Sequence, residues 1–444
     1  MLVNLPYDTQ EIAIEIPDHV RIYTTRYPEP QESASEQIIE AAKNPINSPP
    51  LSVALKERKS GNVVVVVSDF TRPIPYAQFL PALMGEIESA GVAREEIIIL
   101  IATGLHRPST TAERRAMFGD EICERYTIID HRSDDERELL ILPGRSWSGR
   151  SIQINRHYVE AGFRIITGLV EPHFMAGFSG GRKLICPGLS SLETVKMFHG
   201  YAFLANPAAR NANLQDNPLH QEAISIARQV GADFCFNLIV NNERKVVDVF
   251  AGDLETSHEA ACQLVSEYAC PDVDEEMDVV LTSSGGYPLD ATFYQCIKGM
   301  VSCLPAVKKG GIILSIGGCR EGIGSMEYQA ILDKYSGHWQ QALQDWQTSQ
   351  ETFKDQWEFQ MQTHVLKQIG VDHLYFVTTN LSITDLNRLS VNGLSPSPRK
   401  MQKKVQYLLN EFLRDGRSLA VIPEGPYCAL TQQINNRNKN ISQN

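Results

Sequence analysis

A histidine, a glycine-rich turn, a hydroxyl and two adjacent cations lie close together in the run Glu171-Pro-His-Phe-Met-Ala-Gly-Phe-Ser-Gly-Gly-Arg-Lys-Leu-Ile-Cys-Pro-Gly-Leu189. That grouping suits a bound anion beside a reacting centre. Ser179, Gly180 and Gly181 offer a hydroxyl and closely approachable backbone N–H groups to a phosphate, and Arg182 and Lys183 supply positive charge. The spacing does not fit a Walker P-loop. The plainer reading is a tight turn capping a helix, with basic residues on the surface.

Further chemistry-capable residues follow apparent strands. Asp69, Thr71 and Arg72 come just after the strand ending at Val67. His106 and Arg107 follow the one ending near Ile101, and His173 the one ending near Thr167. Ser283, Ser284, Gly285 and Gly286 follow the strand ending at Leu281. Each has a structural explanation in isolation. Asp69 or Thr71 suits a helix N-cap, Arg72 a surface ion pair, and either histidine a satisfied buried position. His199 ends an apparent helix, where a cationic ring meets the helix dipole favourably. Their coincidence beyond the carboxyl ends of strands is what marks a site, because open parallel sheets bind ligands there.

The elements that must position these residues read as strands alternating with helices. Asn62 to Val67 is a continuous β-branched run, as in a strand buried on both faces. Strands are also predicted at Glu96–Ile101, Tyr126–Ile129, Ile152–Asn155 and Phe163–Thr167, with helices at Gln78–Ala90 and Thr111–Phe118. A Pro/Asp/Glu-rich stretch from Cys270 to Asp278 reads as a boundary. A second unit then shows strands at Met277–Leu281, Gly311–Ile316 and Leu374–Thr378, with a helix at Thr292–Val307. The fold class expected is α/β: two α/β domains with mainly parallel, Rossmann-like sheets and an active-site cleft between them. The expected domains are 1–270, 276–398, a helix and strand over 399–430 with the option of returning to the first domain, and a flexible tail over 431–444. Most polar residues between Gln340 and Gln362 read as a solvated helix face.

Bulk properties narrow the function. A chain of 444 residues exceeds one ordinary core. A net charge of −12 argues against nucleic-acid and anionic-membrane partners. No apolar run is long enough to span a bilayer. The N-terminus has no basic segment followed by an apolar core, as a secretory signal would. Nine cysteines, scattered without a Cys-x-x-Cys pair, predict reduced thiols in a cytoplasmic setting.

Taken together, these residues resemble the nickel-dependent lactate racemase family. The resemblance rests on Asp69-Phe-Thr-Arg-Pro73, Gly104-Leu-His-Arg-Pro108, the Glu171–Lys183 run with Pro187-Gly188, Phe198-His-Gly200, Thr282-Ser-Ser-Gly-Gly-Tyr-Pro-Leu-Asp290 and Tyr294-Gln-Cys-Ile-Lys298. It covers about Val63 to Trp357, in the family's order. It implies a pyridinium-3,5-bis-thiocarboxylic acid mononucleotide, a nickel-pincer nucleotide, tethered at Lys183 with His199 as the protein ligand to nickel. It implies His106 and His173 as the acid/base pair. Arg72, Gln295 and Lys298 would hold the substrate, Tyr294 and Trp357 would line its pocket, and Asp69 would orient a neighbouring group. Cofactor-synthesis enzymes would be partners for loading.

The implied chemistry suits the residues. Deprotonating a 2-hydroxy acid at C2 builds a second negative charge beside its carboxylate. Removing hydride instead, through a 2-keto acid, avoids this and needs a retained hydride acceptor. It also needs bases for the hydroxyl of each enantiomer, which histidine supplies near neutral pH. Arg72 can bind the carboxylate bidentately and Lys298 adds a point charge. The substrate stays open among lactate, a larger 2-hydroxy acid, malate and a sugar acid epimerised at C2. A non-catalytic nickel- or nucleotide-binding homologue is the alternative from another class. A conventional dehydrogenase lacks its Gly-x-Gly-x-x-Gly signature here.

Overall fold

The computed structural model describes residues 1–72, 74–349 and 351–432. Pro73 and the tail expected beyond Gln432 lie outside them. The chain divides into two compact units. One comprises Arg26–His199 and Asn206–Tyr268. The other comprises Met1–Thr25, Gly200–Ala205 and the chain from Ala269 on.

The Arg26–His199 unit is built on a six-stranded sheet. In spatial order its strands are Val246–Gly252, Phe234–Val240, Phe163–Leu169, Val63–Ser68, Ile97–Ala102 and Thr127–Asp130. Only the first pair is antiparallel. Val63 to Val67 are wholly buried, as a β-branched run at the centre of a parallel sheet should be. Helices Ala34–Lys43 and Tyr76–Ser89 pack their apolar faces on this sheet within one core.

Tyr76, at the start of its helix, fastens two strand ends that lead into candidate loops. Its hydroxyl accepts from Ser68 N–H at 2.6 Å and donates to Thr167 O at 3.3 Å. Burial pushes that phenol up to about 12. Thr167 in turn donates its hydroxyl to Val66 O at 2.9 Å.

The second unit carries a six-stranded, all-parallel sheet in the order Asn392–Leu394, Leu374–Val377, Val307–Ile316, Met277–Ser283, Leu419–Ile422, Arg21–Ile22. This corrects the expected domains at both ends. Leu419–Ile422 joins the second sheet, between Met277–Ser283 and Arg21–Ile22, and does not return to the first. The N-terminal hairpin, Leu2–Tyr7 with Gln10–Glu15, shares the core of this second sheet, so residues 1–25 do not belong with the first unit. Thr431–Gln432 pairs with Asp272–Val273, so the chain is still structured where the tail was expected to begin. The Gln-rich region resolves into helices Met326–Tyr335, Trp339–Thr348 and Gln356–Ile369. The last is buried nearly all round, including Gln356, Glu358, Gln360, Gln362 and Thr363, which overturns the solvated-face reading for that helix. Among the described residues no helix is long and apolar enough to cross a membrane.

Tyr76→Phe should cost about 1–3 kcal/mol of unfolding free energy, because it strands the buried Ser68 N–H without its acceptor. Urea denaturation of the full chain reads this directly. A change within error would show that Tyr76 is not the fastener described.

Candidate active site

In the first unit, the loop after Val63–Ser68 presents Asp69, Thr71 and Arg72. The loop after Ile97–Ala102 presents His106. Asp69 is 3% exposed, and its Oδ2 accepts from His106 Nδ1–H at 2.6 Å. Thr71 donates its hydroxyl to Asp69 Oδ1 at 2.9 Å. Burial alone would raise the Asp69 carboxyl, but the His106 bond and charge, Arg72 and Thr71 outweigh it, and the net shift is downward. Asp69 therefore stays anionic. It fixes the His106 tautomer with the lone pair on Nε2, as a general base needs. The His106 side chain is half exposed. Arg107, by contrast, pairs with Glu113 and lies 4.5 Å over the Phe70 ring, so it braces the two loops.

His173 sits in a two-residue strand paired with Gly177–Phe178. Met175 and Ala176 donate their N–H groups to its Nδ1 at 3.3 and 3.2 Å. These partners assign the ring proton to Nε2. The two histidines thus carry opposite tautomers: His106 presents an acceptor and His173 a donor.

The turn that follows is a frame. Ser179 donates its hydroxyl to Leu169 O at 2.7 Å and accepts from Glu171 N–H at 3.0 Å. Gly181 N–H donates to Asn237 Oδ1 at 3.1 Å. Arg182 is 1% exposed, with Nη2 donating to Ala176 O at 3.0 Å and Nη1 2.9 Å from His258 Nε2. Burial pulls its guanidinium down to about 10. The Ser179 hydroxyl, the Gly181 amide and the two Arg182 Nη groups, expected at a phosphate, meet protein partners here, while Arg182 Nε is buried with no hydrogen-bond partner among the described residues. The surface-cation reading of Arg182 is also wrong, because the side chain turns inward. Gly180 and Gly181 hold φ of 74° and 48°, which any side chain would strain. Lys183 follows in a short 3₁₀ turn, Gly181–Leu184.

His199 caps the C-terminus of the Leu192–Phe198 helix and donates Nδ1–H to Val195 O at 2.8 Å. Burial holds the ring down to about 4, so it is neutral, not the dipole-stabilised cation of the plainer reading. The charges that act on it come from Lys183 and His106, which places the three side chains in one neighbourhood. Neutral imidazole with its proton fixed on Nδ1 leaves the lone pair on Nε2, which is the state of a metal ligand. Among the described residues no three His, Cys, Asp or Glu side chains gather as a metal cluster. A metal at His199 would therefore take its other donors from a bound group. The residues fit a nickel-pincer nucleotide in that respect.

The second unit holds the remaining candidates. Thr292 caps the Phe293–Ser302 helix, and Tyr294, Gln295 and Lys298 lie on its first turns. Tyr294 and Lys298, four apart, share a face. Trp357 Nε1–H donates to Tyr294 OH at 2.8 Å, which joins this helix to Gln356–Ile369. Tyr294 also meets the Tyr328 ring edge-on at 5.1 Å. The Ser283–Gly286 loop is structural: Ser283 donates its hydroxyl to Pro423 O and Ser284 to Ile316 O. Sequence reasoning missed Asn237 and His258, which hold the turn from beneath, and Glu358 beside Trp357. Nothing in the local sequence distinguishes them.

The sequence matches the family model of the lactate racemase N-terminal domain over residues 7–212 and that of the C-terminal domain over 273–425. It is 32% identical over 439 residues to the lactate racemase of Thermoanaerobacterium thermosaccharolyticum, covering 95% of this chain and 97% of that one. It is 31% identical over 433 residues to the lactate racemase of Lactiplantibacillus plantarum, covering 95% and 98%. The fold superposes on the structure of the lactate racemase apoprotein from T. thermosaccharolyticum with a TM-score of 0.88 at 30% identity, covering 97% of this chain and all of that one. A Thermotoga maritima protein of 19% identity shares the fold, with a TM-score of 0.66 over 93% of this chain. With both domain models matched in order and two relatives above 30% identity along nearly its whole length, the chain belongs to the lactate racemase family, a family of isomerases.

Proposed function

We propose that the protein is a racemase of lactate or a closely related 2-hydroxy acid, inverting C2 by hydride removal and return through the 2-keto acid. The observation that carries this reading is the Asp69–His106 pair placed with Lys183 and His199 beyond the strand ends of one sheet. A nickel-pincer nucleotide held at Lys183, with His199 on nickel, would supply the hydride acceptor and donor. The rest falls to the chain's own side chains. His106 Nε2 takes the substrate hydroxyl proton as the C2–O bond gains double-bond character, and anionic Asp69 stabilises the imidazolium. For the opposite enantiomer His173 is assigned as the base, and its ring must first exchange the Nε2–H tautomer for Nδ1–H so that the Nε2 lone pair takes that hydroxyl proton. Arg72 and Lys298 are assigned to the carboxylate, with Gln295 hydrogen-bonding and Tyr294 and Trp357 giving an apolar wall. The Ser179–Arg182 frame holds Lys183 in place.

Lactate deuterated at C2 should racemise with the label retained, when holoenzyme comes from a host carrying the cofactor-synthesis enzymes. Label lost to solvent would rule out hydride return.

Asp69→Asn should lower kcat by about 10²–10⁴ with a smaller effect on KM, because the His106 tautomer is no longer enforced. The two enantiomers are equal in free energy, so kcat/KM must fall equally in both directions in any variant. The separate roles of the histidines show only in a half-reaction. Acid-quenched single turnovers should release less pyruvate from one enantiomer with His106→Ala and from the other with His173→Ala. Identical losses from both would refute the division of labour.

Protein from the same host should carry a mass adduct on the peptide containing Lys183. His199→Ala should lose nickel while remaining folded by circular dichroism. Full nickel retention would move the ligand elsewhere.

A further inference from the structure

The second unit contains a carboxyl group that the reaction above does not use. Glu358 follows Trp357 in the first turn of the Gln356–Ile369 helix and is 1% exposed. Among the described residues its Oε1 has no hydrogen-bond partner. The Trp357–Tyr294 bond fastens this helix to Phe293–Ser302, the helix carrying Lys298. Around Glu358 stand Asp355 at its own helix start, Lys298 and Tyr294 on Phe293–Ser302, and Tyr328 on Met326–Tyr335. The other elements packed on this helix carry Tyr201, Glu327, Asp333, Lys334, Tyr335, Asp345, Lys308, Lys309, Tyr375, Asp372 and His373, and the charges that shift Glu358 are those of Lys298 and Asp355. Of the charges around it, Lys298 is foremost.

A buried carboxylate is costly unless a cation compensates it. We propose that Glu358 is a positioning residue for the substrate anion: its carboxyl and the substrate carboxylate are alternative partners for the Lys298 ammonium. The inference rests on Lys298 binding substrate, as the proposed function has it. While Glu358 is protonated it makes no claim on the Lys298 charge, and the acid anion takes it. Once ionised, Glu358 attracts the ammonium and opposes substrate binding. Binding and ionisation are linked, so each weakens the other by the same factor.

Burial, against the pull of Lys298 and with the push of Asp355, raises the Glu358 carboxyl to about 8. It is neutral below that pH and charged above it. Affinity for the acid is therefore full at neutral pH and falls as pH rises through about 8. KM for lactate should climb about tenfold for each pH unit above that point, with kcat little changed.

The test is the pH dependence of KM and kcat for lactate with holoenzyme, in wild type and in Glu358→Gln, which mimics the protonated carboxyl. The alkaline rise in KM should appear in wild type and be absent from Glu358→Gln. A rise that persists unchanged in the variant, or a flat wild-type profile, overturns the proposal. Calorimetry on wild type alone guards against a misfolded variant. In two buffers of different ionisation heat at pH 9, lactate binding should take up about one proton, and no uptake overturns the proposal. Lys298→Met separates the two readings. If its KM is unchanged, the carboxylate assignment of Lys298 fails and this inference with it. If its KM rises while Glu358→Gln behaves as wild type, only the inference fails.

Discussion

Lys183 can lie against the sheet because the chain has no Cβ where the turn meets the strand ends. At Gly168 a Cβ would stand 2.7 Å from Leu184 Cδ2 and 3.1 Å from Gly180 Cα. At Gly188 it would stand 2.3 Å from Leu184 O. The Gly188 contact is with backbone and is not tolerable, so that position requires glycine for the turn to close, while at Gly168 the Leu184 side chain and the turn would have to shift. The rest of the site hangs from this seating. Gly188 O accepts from Gly104 N–H at 3.0 Å, which fixes the start of the His106 loop. Three residues beyond Gly188, Ser191 caps the helix that ends at His199. One backbone frame thus sets Lys183, His106 and His199 together, and a site of this kind works only when its side chains are held before substrate arrives.

The frame also sets the charges. Arg182 is a buried cation whose guanidinium donates to the Ala176 carbonyl. His220 and His258, close by, are pushed to low values by burial and by that guanidinium, so they add no second charge. The guanidinium is thus a positive charge under the turn, and it favours an anionic group above it. Asp69 on the neighbouring loop is the compensating anion for His106 instead. Burial would neutralise it but for its hydrogen bonds. Protonation states are assigned by packing: His199 is neutral because it is inside, Asp69 is charged because it is partnered.

The sheet of the first unit was readable because its strands are uninterrupted apolar runs, and the loops after them were readable because polar residues follow abruptly. The destination of a strand is another matter. The run Leu419-Ala-Val-Ile422 fits any buried parallel position, so nothing local told which sheet it joins. The partner of Arg21–Ile22 lies about four hundred residues away, and that pairing is decided by tertiary packing. Types of polar residue were legible, while their orientation was not. Ser179, Gly181 and Arg182 have the composition of an anion site, yet the structure spends them on the turn itself. The Gln356–Ile369 helix misled for the opposite reason. Its glutamines and Glu358 suggest a wet face, but they are enclosed by neighbouring helices and strands that periodicity cannot foresee.

The two units use the same strand-end principle differently. In the first, the residues immediately after the strands carry the candidate chemistry. In the second, Ser283 and Ser284 occupy the equivalent place, and their hydroxyls close backbone gaps to Pro423 and Ile316. Gly317 packs so tightly there that a Cβ would stand 2.5 Å from Cys296 Sγ. That tightness seats the Phe293–Ser302 helix on the sheet by its Cys296 face. Tyr294 and Lys298 share another face, turned toward Trp357 and Glu358 on the neighbouring helix. The candidate substrate-binding groups in this unit therefore stand one element further along the chain, on a helix surface whose partners are buried acids and aromatics, and the proposed linkage to Glu358 follows from that displacement, through a carboxyl group that never needs to touch the substrate.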